Sequence, residues 1–226
     1  MNVVTTREAA DRLGISDVAV RKMLRSGRLT GAGTAGRTLL IDPASLQRVV
    51  DSGKHTGRLW SPRTAWAALC ILSGQEAPWI TAAEKYRLKT RLGDLGSEDV
   101  HLLARNRAAV KRYRGTPAAV DRLRPRLMPT AGSAMHDEVT AARFSLSGGG
   151  GFAEGYATAG DGEKFANALG LVEDPNGNVV IRETTRTEPF TSSHTPWAAV
   201  AVDLMDSLST RERSAGIRVL EELLHG

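Results

Sequence analysis

The chain has 226 residues, of which 41% are apolar, 24% charged and 5% aromatic, with a net charge of +5. This length accommodates one large domain or two to three small ones. No run reaches the ~18 consecutive apolar residues of a membrane-spanning helix, the opening Met1-Asn2-Val3-Val4-Thr5 lacks the basic and apolar regions of a signal peptide, and a single cysteine, Cys70, excludes an internal disulfide or a multi-cysteine zinc site; a cytoplasmic protein is expected. The charge is unevenly placed. Residues 1–126 hold 23 Lys and Arg against 11 Asp and Glu, whereas residues 127–226 hold 7 against 14. Such an asymmetry points to a polyanionic partner for the first half.

In chain order, Thr5 and Glu8 have the spacing of a capping box, in which each side chain satisfies a free backbone N–H of the other. Ala9, Ala10 and Leu13 follow at helical spacing, and Gly14 supplies a left-handed stop. Ser16 is placed to cap a second helix through Val18, Val20, Met23 and Leu24 that ends at Ser26-Gly27. Leu29-Thr30 then reads as a short strand, Gly31 to Gly36 as a flexible hairpin tip, and Thr38 to Ile41 as the returning strand. Asp42-Pro43 starts a third helix, with Leu46, Val49 and Val50 as its buried face. The pattern predicts a winged helix-turn-helix domain over residues 1–58 that binds DNA.

Residues 4–50 resemble the MerR/excisionase-like helix-turn-helix family. The resemblance is carried by Thr6-Arg7-Glu8-Ala9-Ala10, Leu13-Gly14-Ile15-Ser16, Val20-Arg21-Lys22, Ser26-Gly27-Arg28-Leu29 and Arg37-Thr38-Leu39-Leu40-Ile41. Where that family more often has Thr and Trp, this chain has Ala19 and Met23. With Val20 and Leu24 turned inward, the candidate DNA-binding residues are Ser16, Asp17, Val18, Arg21, Lys22, Arg25, Arg28 and Arg37. A guanidinium can donate two hydrogen bonds to guanine, so Arg21 is the expected base reader. Lys22, Arg25 and Arg28 suit phosphates, and Arg37 at the end of the wing suits a minor groove or the backbone. Asp17 either accepts from cytosine or stabilises the positive N-terminus of its helix.

Gly53 to Trp60 reads as a polar linker. Residues 59–126, with 13 Lys and Arg against 6 Asp and Glu, read as a basic helical section: one helix opened by Ser61-Pro62, another by Thr81, a third from Ser97 through Val110 to Gly115, and a short one over 117–123. Its cations, Lys85, Arg87, Lys89, Arg91, Arg105, Arg107, Lys111, Arg112 and Arg114, either extend a phosphate footprint or form solvated helix faces. Tyr86 and Tyr113 are expected to pack.

Residues 127–226 read as an acidic α+β domain. A flexible break at Gly148 to Gly151 precedes a strand from Phe152 to Thr158, a helix over 161–169, and strands at Leu171-Val172 and Val179 to Ile181. Those last two are joined by a type I′ hairpin turn at Pro175-Asn176-Gly177-Asn178. A helical hairpin closes the chain, Trp197 to Ser207 and Thr210 to Leu224, with Asp203 and Asp206 on a solvated acidic face. It either packs on the strands or docks a basic protein partner. The fold class expected for the whole chain is α+β.

Catalytic patterns are weak. The five histidines are scattered, the triplet His136-Asp137-Glu138 lacks metal-ligand spacing, the glycine run has no phosphate-loop Lys-Ser/Thr, and Cys70 sits in an apolar run as an inert core thiol. No enzymatic activity, cofactor or metal is expected. A small-molecule sensor would use Trp66, Trp79, Trp197 and Phe152 as a lining, although core packing is the better default for each. The overall layout is similar to that of AbiEi-type antitoxins, through Leu127-Met128-Pro129-Thr130-Ala131-Gly132-Ser133-Ala134 and the turn around Asp174 to Val180. That resemblance implies an autoregulatory DNA-binding antitoxin whose second part counters a nucleotidyltransferase-like toxin. The alternative is an excisionase-like or ligand-responsive regulator with no toxin partner.

Overall fold

A computed structural model describes residues 3–25, 28–36, 38–52, 58–190 and 194–226. The chain divides into two units, residues 1–57 and residues 58–226, each with its own apolar core.

The first unit runs β1 (Val4–Thr5), α1 (Thr6–Leu13), α2 (Asp17–Arg25), β2 (Gly31–Ala35), β3 (Thr38–Ile41) and α3 (Pro43–Ser52). The capping box forms: the Thr5 N–H donates to the Glu8 carboxylate at 2.8 Å, and the Glu8 N–H donates to Thr5 Oγ1 at 3.2 Å. Gly14, at φ +64°, ends α1 and lets the chain turn into α2. Val4, Ala9, Ala10, Val20, Met23, Leu29, Ile41 and Leu46 close a small core between the helices and a three-stranded antiparallel sheet of order β1-β3-β2. Two expectations are corrected here. Leu29 is a core plug rather than a strand residue, and the Thr30 N–H is taken by Ser45 Oγ at 3.1 Å. The strand instead runs through the expected hairpin tip, because Gly31 to Ala35 pair with Thr38 to Ile41 through an irregularity at Gly31/Gly33, where Gly33 takes φ +107°. The expected helix end at Ser26-Gly27 and most of the Gly53 to Trp60 linker lie outside the described residues.

The second unit contains α4 (Pro62–Leu72), α5 (Ala82–Leu92), α6 (Ser97–Leu103), β4 (Ala109–Arg114), α7 (Pro117–Leu123), β5 (Met128–Pro129), α8 (Ala131–Ala134), α9 (Glu138–Phe144), β6 (Ala153–Thr158), α10 (Asp161–Leu169), β7 (Val172–Glu173), β8 (Val179–Thr184), α11 (Trp197–Met205) and α12 (Thr210–His225). Its sheet has the order β5-β6-β8-β4-β7, with β6 and β8 parallel and the other neighbours antiparallel. Strand alternation sorts the residues between two layers. Ala153, Ala157, Val179, Ile181 and Tyr113 pack with Val120, Leu123 and Ala166 of α7 and α10. The other face carries Tyr156 against a larger helical layer with Trp66 and Leu69 of α4, Val200 and Leu204 of α11, and Val219 and Leu220 of α12.

The boundary expected at 126/127 therefore runs through the middle of a folded unit. β4 pairs with β8 from Ala109↔Glu183 to Tyr113↔Val179, and α4 shares one core with α11. The charge asymmetry describes surfaces, not a domain edge. The section expected to be helical also contains a strand at Ala109–Arg114, so Val110 belongs to a strand and not to the third helix of that section. Nor do the segments around Asn176-Gly177 form a two-stranded hairpin. β7 pairs with Tyr113-Arg114, and the chain crosses the end of β4 to reach β8 in the sheet centre. Neither Asn176 nor Gly177 has positive φ, so the turn is not type I′. The glycine serves close approach instead, since a Cβ on Gly177 would lie 2.0 Å from the Tyr113 carbonyl oxygen.

Candidate nucleic-acid interface

The exposed face of α2 is set by what its inner face must bury. Val20 and Met23 are in the core and Leu24 is half-buried, which turns Val18, Arg21, Lys22 and Arg25 to solvent. Ser16 is the cap of this helix: its Oγ accepts from the Ala19 N–H at 3.2 Å, and its carbonyl accepts from Val20. Val18, at 73% exposure, is an apolar side chain left in water on the first turn, of the type that can meet a thymine methyl in a major groove. Arg21 keeps 59% of its side chain exposed and makes an ion pair with Asp17 one turn earlier, Nε to Oδ2 at 2.9 Å. Asp17 thus holds the guanidinium along the helix before any partner arrives. An exposed pair of this kind is worth only about 0–1 kcal/mol, so a base edge can replace it. Lys22, Arg25 and Arg28 are exposed around the same face. Arg37 lies outside the described residues, while β2 and the start of β3 beside it are exposed.

A second polar constellation, in residues 58–226, escaped the sequence reading. Asp203 is 1% exposed, not on a solvated face. It accepts from Thr130 Oγ1 at 2.5 Å and from the Tyr156 hydroxyl at 2.8 Å, and it pairs with the Arg107 guanidinium and with Arg182 at 3.2 Å. Arg182 also grips Glu154 at 2.6 Å and Asp206 at 3.2 Å, and Asp206 bonds His101 at 2.8 Å. Two arginines thus face three carboxylates at the junction of β6, β8 and α11. Burial pushes the Glu154 carboxyl up to about 7, and the neighbouring Asp203 charge adds to the rise against the opposing pull of Arg182. Burial opposes the charge of Asp206 as well, but the bond from His101 and the Arg182 charge outweigh it and hold that carboxyl below the usual range. Trp66 closes the cluster, its indole N–H shared between the Arg107 carbonyl and Thr184 Oγ1, both at 3.1 Å. Every member is bonded to another, which makes the cluster a tie between the sheet and the helical layer. The signal for it in sequence was a charged residue inside each of two apolar runs, Glu154 between Ala153 and Tyr156 and Arg182 after Val179-Val180-Ile181.

The remaining candidates fall elsewhere. Cys70 is buried and its thiol is pushed up to about 12 by burial. Asp137 caps α9 through the Thr140 N–H at 2.8 Å. Trp66 and Trp79 each donate to backbone carbonyls, and Trp66 stacks edge-on with Tyr156 and Phe190 at 5.0 Å. Tyr113 is packed as expected, but Tyr86 is 74% exposed on α5. Among the described residues, no group of three or more His, Cys, Asp or Glu is arranged to hold a metal ion, and no helix is long and apolar enough to cross a membrane.

Helix, tight turn, helix, sheet and third helix over one small core define the first unit as a helix-turn-helix domain of the DNA-binding class. A family model described as a helix-turn-helix domain matches residues 3–54. No curated protein and no solved structure matches the chain.

Proposed function

We propose that the protein is a sequence-specific DNA-binding transcriptional regulator that acts by occupying its site rather than by catalysis. Its second helix lies in a major groove, where Arg21 reads a base edge and Lys22, Arg25 and Arg28 neutralise phosphates; Arg37 of the wing reaches the flanking groove or backbone. The observation that carries this reading is the exposed cationic face of α2, held on a core that fixes its orientation. Enrichment of bound duplexes from a random pool by the full chain tests it. A single recurring motif is expected, and one of its positions loses its base preference in the Arg21→Ala variant. A pool that emerges without a motif defeats the proposal.

A narrower form of this reading is an autoregulatory antitoxin, in which the unit of residues 58–226 also counters a nucleotidyltransferase-like toxin. It is supported by the likeness of layout through Leu127 to Ala134 and by a second unit far larger than DNA binding requires. Its test is co-purification of residues 58–226 with a nucleotidyltransferase-like protein encoded beside it, and rescue of growth when both are expressed. An excisionase-like architectural role is compatible with the same first unit. Strong bending of the bound duplex, read by energy transfer between its ends, would favour that role.

A further inference from the structure

The basic residues of 59–126 are sorted by the fold into different fates. Arg107 is buried in the carboxylate cluster, Arg114 pairs with Asp174 at 2.6 Å, and Lys85 pairs with Glu76 at 2.8 Å. On α5 the outcome is different. Leu88 and Leu92 are buried; Tyr86 and Thr90 lie on the opposite side, Arg87 and Arg91 on one flank and Lys89 on the other, all exposed to solvent. Among the described residues, no carboxylate lies within ion-pair distance of Arg87 or Lys89, and Arg91 stacks over Trp60 at 5.8 Å. Arg87 and Arg91, one helical turn apart, edge a cleft of about 200 Å³ whose lining also includes Arg63, Thr64 and Ile80. The acid of this cleft, Glu84, is already engaged: Arg63 grips it at 2.7 and 3.1 Å, which with the Thr81 cap holds its carboxyl at about 2. The surface is left with a net positive charge, with the Glu76 carboxylate, paired to Lys85, near enough to feel Lys89 as well.

We infer that the exposed face of α5 is a second binding surface for the phosphate backbone of double-stranded DNA, separate from the helix-turn-helix unit. Arg87 and Arg91 stand one helical turn apart, Lys89 adds a third cation, and the Tyr86 hydroxyl supplies a neutral donor of the kind that fixes backbone register, whereas the Thr90 hydroxyl already donates to the Tyr86 carbonyl at 3.1 Å. The shape favours a duplex over a single strand: the face is a convex helix with one aromatic, whereas single-strand sites stack successive bases on several aromatics within a groove. Helix-dipole stabilisation accounts for Lys89 and Arg91 in the last turn but not for Arg87 or for the exposed Tyr86. The inference does not depend on α2 reading a sequence.

The test uses the full chain, a fluorescent mixed-sequence duplex of roughly 30 bp and the corresponding single strand, titrated between about 50 and 300 mM salt. Three variants are compared with the parent: R87A/K89A/R91A; a charge-matched control, R122A/R126A/R211A, at exposed positions elsewhere; and R21A/K22A. The α5 variant is expected to lower the salt slope for duplex by about 2–3 and to weaken binding at ~100 mM at least tenfold, since each phosphate contact contributes ~0.9 to the slope. Duplex binding that survives in R21A/K22A is abolished by adding the α5 changes. The substituted side chains are exposed, so circular dichroism and thermal midpoint stay close to those of the parent. An unchanged slope, an equal fall in the charge-matched control, or a loss confined to the single strand each overturns the inference.

Discussion

Arg21 carries the sharpest consequence among the single residues. Its replacement by Ala costs ~1–3 kcal/mol of binding to the selected site and relaxes preference at one base position, whereas Lys22→Ala weakens all duplexes alike and lowers the salt slope by about 1. Competition titrations with single-base variants of the selected site separate the two outcomes; an Arg21→Ala protein with unchanged discrimination shows that the helix docks in another register. Glu154 carries a pH consequence. Its folded-state carboxyl sits at about 7 against an ordinary 4.5, so the folded form prefers the protonated group. The stability from this group is fully present below pH 4.5 and is lost as pH rises through 7. Thermal midpoints of the parent should decline across that window more than those of Glu154→Gln, which keeps a bonding oxygen for Arg182 and cannot ionise. Asp206 acts with the opposite sign and below that window, because its lowered carboxyl contributes stability that is lost only as pH falls through its depressed value.

At the scale of elements, local signals were legible wherever a backbone group had to be satisfied nearby. Thr5, Ser16, Asp42, Ser61 and Thr81 each cap the helix their spacing announced. Gly177 shows the other case. Asn-Gly between two apolar runs signals a hairpin, but β8 is pulled into the sheet centre because Val179, Val180 and Ile181 are buried on both faces. That leaves the two-residue β7 on the far side of β4, with the connection pressed against Tyr113. Gly177→Ala should therefore cost at least ~2 kcal/mol, through steric displacement of β4 rather than through φ. Chemical denaturation compared with Gly149→Ala, where an added Cβ meets nothing within 4 Å, measures it. Equal effects at the two glycines would show that the crossing is not tight.

The whole molecule consists of two units with separate cores, and stability should divide accordingly. Calorimetry is expected to resolve two transitions, and both rise when duplex is added, because α2 of one unit and α5 of the other each bind it. A single transition would contradict independent folding. Asp203→Ala should lower only the transition of residues 58–226, by ~3–5 kcal/mol, because it leaves Arg107 and Arg182 buried without their shared partner. The Asp203→Asn variant, which keeps the acceptor geometry, isolates the part of that loss due to charge.

The sequence by itself determined the helix-turn-helix unit, because its caps, its turn glycine and its apolar spacing are all short-range requirements met within 50 residues. It determined equally which cations of α2 stand outward, since turning Val20 and Leu24 inward leaves them no other side, although the structure buries Met23 more deeply than Leu24. Only tertiary structure decided that residues 59–126 and 127–226 make one unit, because a strand is a sheet member only by virtue of a partner some 70 residues away. It also decided the fates of charges that look alike in sequence. Asp203 is drawn inside by two arginines on distant elements, and Arg87 and Lys89 remain exposed, with no carboxylate within ion-pair distance among the described residues.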